Sequence, residues 1–100
     1  MIPVSKPLLT ISETNHIKKV FETGWLGLGS VTKDFENKLK SYINSKNIVA
    51  TNTGTTAIHL AIDAYRISKG DEVIIPSMTY AAGVQAIISS GATPVFVECH

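Results

Sequence analysis

The sequence lacks the features that mark several large classes of protein. Only one cysteine, Cys99, occurs in the 100 residues, which excludes an internal disulfide and is compatible with a reducing compartment. No apolar run approaches the roughly 20 residues that cross a bilayer. The N-terminus also lacks the basic-then-apolar order of a secretory signal. We therefore expect a cytoplasmic protein that does not associate with a membrane.

The chain also has a small net charge and few potential metal ligands. The formal net charge of +1 gives no electrostatic basis for binding nucleic acid. His16 and His59 have no second histidine, cysteine or carboxylate at a convincing ligand spacing, so no metal site is predicted. What the chain does have is an apolar fraction of 44% against 17% charged residues. That balance is typical of a folded globular domain.

The N-terminal segment, residues 1–46, is predicted to be an extended arm followed by two helices. Two prolines close to the start favour the extended arm. The first helix is expected over residues 12–23, with Ser12 as the N-cap and Gly24 as the stop. After a glycine-rich link, apolar residues at helical spacing predict a second amphipathic helix over residues 31–44.

From residue 47 onward the pattern changes to strand, helix, strand, helix, strand. This order predicts three parallel strands joined by right-handed crossover helices. The predicted strands are continuous apolar runs, as expected when both faces of a sheet are covered. Three strands leave an open sheet, so residues 47–100 are interpreted as the incomplete start of an α/β domain. The three strand segments are NIVAT, EVIIP and TPVFVE.

The segment TNTGTTA, residues 51–57, lies between the first predicted strand and the helix after it. The first N–H groups of a helix have no intrahelical acceptor, and the helix dipole favours an anion there. Gly54 allows close approach of a ligand, and Thr53, Thr55 and Thr56 add hydroxyl groups, so a phosphate is one possible ligand. The alternative is that these residues only cap the helix. Neither a Walker A loop nor G-x-G-x-x-G occurs at this position.

Tyr80 follows the second predicted strand and is expected at the same edge of the sheet as this loop. An aromatic ring there could stack on a flat cofactor, or it could simply cover the core. A phosphate loop beside an aromatic ring suggests a planar heteroaromatic compound that carries a phosphate. Pyridoxal 5'-phosphate fits that description.

Five segments follow one another along the chain: IPVSKPLL, ETGWLGLGSVTKDFENKL, TNTGTTAIHLA, GDEVIIPSMTYAA and GATPVFVE. In this order they resemble the opening of the DegT/StrS-type nucleotide-sugar aminotransferases, which are pyridoxal-phosphate enzymes with the aspartate-aminotransferase fold. The resemblance implies that the chain is the N-terminal part of their large domain. It implies cofactor-phosphate binding at Gly54, Thr55 and Thr56, and stacking of Tyr80 on the pyridine ring. It also implies that Trp25, Leu26 and Gly27 line the sugar-substrate pocket.

The same resemblance implies a reaction and partners. Members of the family move an amino group from an amino acid, typically glutamate, to a nucleotide-linked keto-sugar, and we expect a homodimer. Transamination needs a desolvated lysine, yet all eight lysines of the chain fall in the arm, on polar helix faces or in a turn. We therefore expect no catalytic residue among these 100 residues and no activity from them alone. The alternatives are a Rossmann-like nucleotide-binding domain or a non-enzymatic truncated product.

Overall fold

A computed structural model describes residues 3–99, which contain four helices and two strands. The chain divides into two compact units, Met1–Val49 and Ala50–His100. Each unit is described separately below. No helix in the described range is long and apolar enough to cross a membrane. The elements are α1 (Ile11–Thr23), α2 (Ser30–Tyr42), α3 (Gly54–Ala64), β1 (Glu72–Pro76), α4 (Ala81–Ser89) and β2 (Thr93–Val97).

In the first unit, α1 begins at a capping box. The N-cap is Thr10, and the prediction of Ser12 was wrong. The Thr10 hydroxyl accepts from the Ser12 backbone N–H at 3.1 Å, and the Glu13 carboxylate accepts from the Thr10 backbone N–H at 2.6 Å. Ser12 has no acid three residues later with which to form the same box. The predicted stop is confirmed, since Gly24 closes α1 in the left-handed conformation at φ 69°.

The second helix, α2, begins after Gly29 and ends at Ile43, close to the predicted bounds. Gly29 has no side chain, so α2 starts without a side-chain cap. Neither α1 nor α2 contains a buried residue. The amphipathic pattern therefore predicted the helices correctly, while the apolar faces that define it remain exposed.

The second unit contains a parallel pair of strands. β1 and β2 pair in register from Glu72 opposite Thr93 to Pro76 opposite Val97. Backbone hydrogen bonds extend the pairing at both ends: Thr93 N–H donates to the Asp71 carbonyl at 2.9 Å, and Ser77 N–H donates to the Val97 carbonyl at 2.8 Å. Two of the three predicted strands and their parallel pairing are thus confirmed.

The predicted strand at residues 47–51 is not formed, so the sheet has two strands where three were expected. A strand requires a ladder of hydrogen bonds to a neighbour as well as suitable residues. The β-branched residues of this segment satisfy local propensity only. Among residues 3–99 no strand pairs with it, and Val49 is exposed.

The core of the second unit is small and lies between the sheet and the two helices. Among the described residues it consists of Ile62, Ile75, Ala86, Ile87 and Ala92. Helices α3 and α4 pack against each other, and α4 also packs on both strands. Helix α3 is only partly covered, since Ile62 is buried whereas Ile58 and Leu60 are 39% and 47% exposed.

Candidate cofactor and substrate sites

The start of α3 is built by threonine side chains. Thr53 is the N-cap in an extended conformation, and its hydroxyl accepts from the Thr56 backbone N–H at 3.1 Å. The Thr53 and Thr56 hydroxyls lie 3.0 Å apart and share a further hydrogen bond. The Thr51 hydroxyl donates to the Thr53 carbonyl at 2.9 Å. These bonds fix the loop before the first helical turn and occupy one of the free N–H groups of the turn.

Two N–H groups at this helix start remain available. Within residues 3–99, the backbone N–H groups of Gly54 and Thr55 donate to no acceptor. The side of Gly54 where a Cβ would stand faces open space, with nothing within 4 Å. Gly54 does not have a positive φ, so the backbone does not require glycine. The Cβ side of Gly54 thus leaves room for a ligand beside the first turn of α3.

No ionisable side chain lies in residues 51–57. Any attraction for an anion at this site thus comes from the oriented N–H groups and the helix dipole. The Thr56 hydroxyl already bonds with Thr53, whereas the half-buried Thr55 side chain makes no hydrogen bond within the described part of the chain. The backbone of Gly54 and Thr55 is consequently the main donor surface.

Tyr80 is the N-cap of α4 and makes no side-chain capping bond. Its side chain is 81% exposed, so it is not part of the core. The alternative role of covering the core is therefore wrong for residues 3–99. The Tyr80 carbonyl accepts from Gly83 N–H at 3.3 Å, which ties the backbone to the first turn of α4. The ring is left free to contact a ligand.

Helix α4 connects the two parallel strands, so it runs antiparallel to them and begins at their carboxyl edge. Tyr80, the N-cap of α4, therefore lies at this edge. Helix α3 packs against α4. The turns that follow the two helices are adjacent, because a Cβ placed on Gly91 would lie 3.4 Å from the backbone nitrogen of Lys69. Ligands of open parallel sheets bind at the carboxyl edge of the strands.

In the first unit, the link between α1 and α2 folds around Trp25. The indole Nε1–H donates to the Leu28 carbonyl at 3.0 Å, and the Trp25 backbone N–H donates to the Thr23 hydroxyl at 3.2 Å. The backbone of Gly27 and Gly29 packs against the indole. The residues that were expected to line a substrate pocket thus form a closed turn around one aromatic ring.

A cleft of about 450 Å³ lies beside this turn. Trp25, Leu26 and Gly27 all line it, as do the hydroxyl-bearing residues Thr23 and Ser30. The structure therefore brings the three predicted substrate residues to one concave surface. Apolar groups from the helices and hydroxyls from their ends make this surface amphipathic. Its remaining lining residues are Val20, Gly29, Val31 and Thr32.

No lysine of the chain is buried. All eight are exposed, so none has the desolvated surroundings that activate a lysine as a nucleophile. Among residues 3–99 no group of three histidine, cysteine or acidic residues could hold a metal.

Sequence reasoning missed one contact that shapes these sites. The Thr53 hydroxyl was expected as a ligand donor or as a cap, and it closes the N-terminus of α3 as a cap. Gly29 packs under the indole of Trp25. No sequence pattern predicts that contact, because it depends on the three-dimensional path of the turn.

Comparison with known proteins identifies the family. The DegT/DnrJ/EryC1/StrS aminotransferase family model matches residues 8–100. The chain belongs to this family. Membership of this family excludes the alternative that the chain is a Rossmann-like nucleotide-binding domain.

Individual relatives agree with this assignment. A GDP-perosamine synthase of Escherichia coli O157:H7 is 41% identical over 98 residues, covering 97% of this chain and 27% of that protein. A dTDP-3-amino-3,6-dideoxy-alpha-D-galactopyranose transaminase of Aneurinibacillus thermoaerophilus is 48% identical over 82 residues, covering 82% of this chain and 23% of that protein. This chain therefore spans about a quarter of the length of the curated relatives it matches.

Solved structures match the fold over nearly the whole chain. A sugar aminotransferase from Streptococcus pneumoniae in its PLP form gives a TM-score of 0.92 at 36% identity, covering 99% of this chain and 25% of that one. A Bacillus subtilis protein solved with bound cofactor PMP gives a TM-score of 0.80 at 32% identity, covering 87% of this chain and 20% of that one. The α/β fragment therefore corresponds to part of structures that bind this cofactor.

Proposed function

We propose that these residues supply the phosphate and ring contacts for pyridoxal 5'-phosphate in a nucleotide-sugar aminotransferase. The observation that carries the proposal is the start of α3. It offers two unpaired N–H groups, at Gly54 and Thr55, beside open space. Tyr80 is exposed at the carboxyl edge of the strands. The PLP and PMP forms of similar structures support this choice of ligand.

The chemistry of the donors fits the cofactor. A phosphate dianion suits a helix start that carries no side-chain charge, because the N–H groups and the dipole supply the attraction. Thr56 contributes by holding Thr53 in place, and the Tyr80 ring can lie against a flat heteroaromatic ring. When bound, pyridoxal phosphate supplies an electron sink for reactions at an amino-bearing carbon. The residues described here bind and orient the cofactor.

The proposed reaction moves an amino group from an amino acid, with glutamate as the expected donor, to a nucleotide-linked keto-sugar. Relatives described as GDP-perosamine synthase and as a dTDP-amino-sugar transaminase support this substrate class. The cleft lined by Trp25, Leu26 and Gly27 would receive part of the sugar nucleotide. We further propose that the full-length protein is a cytoplasmic homodimer, with an arm-and-helix segment at 1–46 followed by the cofactor domain from 47.

These 100 residues are proposed to be inactive on their own. The supporting observation is that each of the eight lysines is exposed. A lysine in water is protonated at neutral pH and is a poor nucleophile. The reactive lysine and the acid that faces the pyridine nitrogen are expected in the rest of the subunit.

Borohydride reduction followed by peptide mapping tests this proposal, because it records any lysine joined covalently to pyridoxal phosphate. The 100-residue chain is expected to show only weak labelling spread over several lysines. The full-length subunit is expected to show one labelled lysine outside these residues, together with amino transfer to a keto-sugar nucleotide. Stoichiometric labelling of a single lysine in the short chain would contradict the proposal.

A further inference from the structure

The turn around Trp25 depends on Gly29, which has no side chain. A Cβ on Gly29 would lie 2.9 Å from Cδ1 and 3.1 Å from Nε1 of the indole. Carbon atoms are in favourable contact at about 3.5–4.0 Å, so the indole could not stay where it is. Since the indole is rigid, the whole ring would have to move.

A hydrogen bond also holds the indole in this position, although Trp25 is 64% exposed. Its Nε1–H donates to the Leu28 carbonyl at 3.0 Å, immediately before Gly29. At the other end of the turn, the Thr23 hydroxyl accepts from the Trp25 backbone N–H and donates to the Val20 carbonyl at 2.7 Å. Displacing the ring from Gly29 would therefore break or lengthen the bond to Leu28.

The backbone at Gly29 gives no other reason for glycine. Gly29 is extended, with φ −154° and ψ −162°, a conformation that any residue adopts. As the N-cap of α2 it could be replaced by serine, which is a better cap. The close approach of the indole is thus the feature that requires a residue without a Cβ.

We propose that Gly29 is a positioning residue, which seats the Trp25 indole as one wall of the substrate cleft. The inference rests on the proposed function, because the cleft is assigned to the sugar nucleotide there. A larger residue at position 29 would displace the indole from this position and alter the wall that the sugar meets.

The test uses intrinsic fluorescence, since Trp25 is the only tryptophan in the 100 residues. In this chain, Gly29→Ala and Gly29→Ser are expected to shift the Trp25 emission maximum and to raise its acrylamide quenching constant. Gly29→Ser should do so while keeping the helical circular dichroism of α2, because serine caps the helix. The matched controls are Gly27→Ala and Gly24→Ala.

Gly27→Ala is a control for added volume in the same turn. A Cβ at Gly27 would meet the indole at 3.6 Å, which is ordinary contact, so the emission should match that of the parent. Gly24→Ala is a control for general destabilisation. It strains a positive φ, yet a Cβ there meets nothing within 4 Å. Unchanged emission in both Gly29 variants, or an equal change in Gly24→Ala, would overturn the proposal.

Kinetics of the full-length enzyme complete the test. Gly29→Ser is expected to raise KM for the keto-sugar nucleotide several-fold and to leave the half-reaction with the amino donor unchanged. An equal loss in both half-reactions would overturn the positioning role. If the parent enzyme transfers no amino group, the proposed function is refuted instead. The fluorescence of the Gly29 variants would still show whether Gly29 positions the indole.

Discussion

Replacing Gly54 by proline should separate the stability of α3 from its ability to hold a phosphate. Gly54 is the first residue of the helix, where proline is readily accepted because its missing N–H would have no intrahelical acceptor. The preceding residue, Thr53, has φ −147° and ψ 156°, which is the extended conformation that a residue before proline prefers. No atom lies within 4 Å of the added Cβ position.

The two expected effects have opposite signs. Replacing glycine by a residue that fits the native conformation typically stabilises a protein by about 0.4–1 kcal/mol through the unfolded state. The melting temperature should therefore stay level or rise by a few degrees. A hydrogen bond to a charged group contributes about 1.5–3 kcal/mol, so loss of the Gly54 N–H should weaken cofactor binding roughly 10- to 150-fold.

The assay pairs two measurements on the full-length protein: a spectrophotometric titration with pyridoxal phosphate, and thermal unfolding followed by circular dichroism. Gly54→Ala is the matched control, because it adds a Cβ but keeps the N–H. Gly54→Ala should weaken cofactor binding only because the added methyl group takes up space that the cofactor phosphate would use. If Gly54→Pro bound the cofactor as tightly as the parent, the loop would be a helix cap and nothing more. If Gly54→Pro melted well below the parent, the position of the helix start would be wrong.

Three further predictions concern α3, α1 and the core. At Thr55, proline should weaken cofactor retention sharply and serine should do little, because the backbone makes the contact; equal retention in a binding titration would refute this. At Glu13, hydrogen bonds from the Thr10 hydroxyl and backbone N–H hold the carboxyl pKa below its ordinary value. The capping box should therefore stabilise α1 fully above that ordinary pKa, and this stabilisation should be lost as the pH falls through the lowered pKa. Glu13→Gln should remove this acid-induced loss of helicity, as followed by circular dichroism. At Ile87, which is 2% exposed, alanine should cost about 2–5 kcal/mol in urea unfolding, whereas Ile88→Ala, at an exposed position, should cost much less.

Local signals in the sequence were sufficient for most of the fold. Gly24 predicted the end of α1 because a left-handed residue closes that helix. The segments EVIIP and TPVFVE predicted β1 and β2, the latter one residue too long, and their order predicted parallel pairing. Both candidate sites could be proposed from the sequence, since the loop at Gly54 and the turn at Trp25 are compact stretches, and the roles of their residues stay predictions.

The parts that could not be predicted depend on contacts between distant residues. The segment at residues 47–51 has strand propensity, but a strand forms only when a neighbour supplies a ladder, and propensity does not reveal the neighbour. The prediction of Ser12 as N-cap failed for a different reason, because Thr10 and Glu13 have the spacing of a capping box in the sequence itself. The seating of Trp25 on Gly29 follows from the three-dimensional path of the turn, which composition does not encode.

The most direct test of the central claim is a crystal structure of the full-length protein with pyridoxamine phosphate bound. We expect phosphate oxygens within about 3.2 Å of the Gly54 and Thr55 backbone nitrogens and the Tyr80 ring against the face of the pyridine. A cofactor phosphate bound elsewhere, with both N–H groups facing only water, would contradict the account.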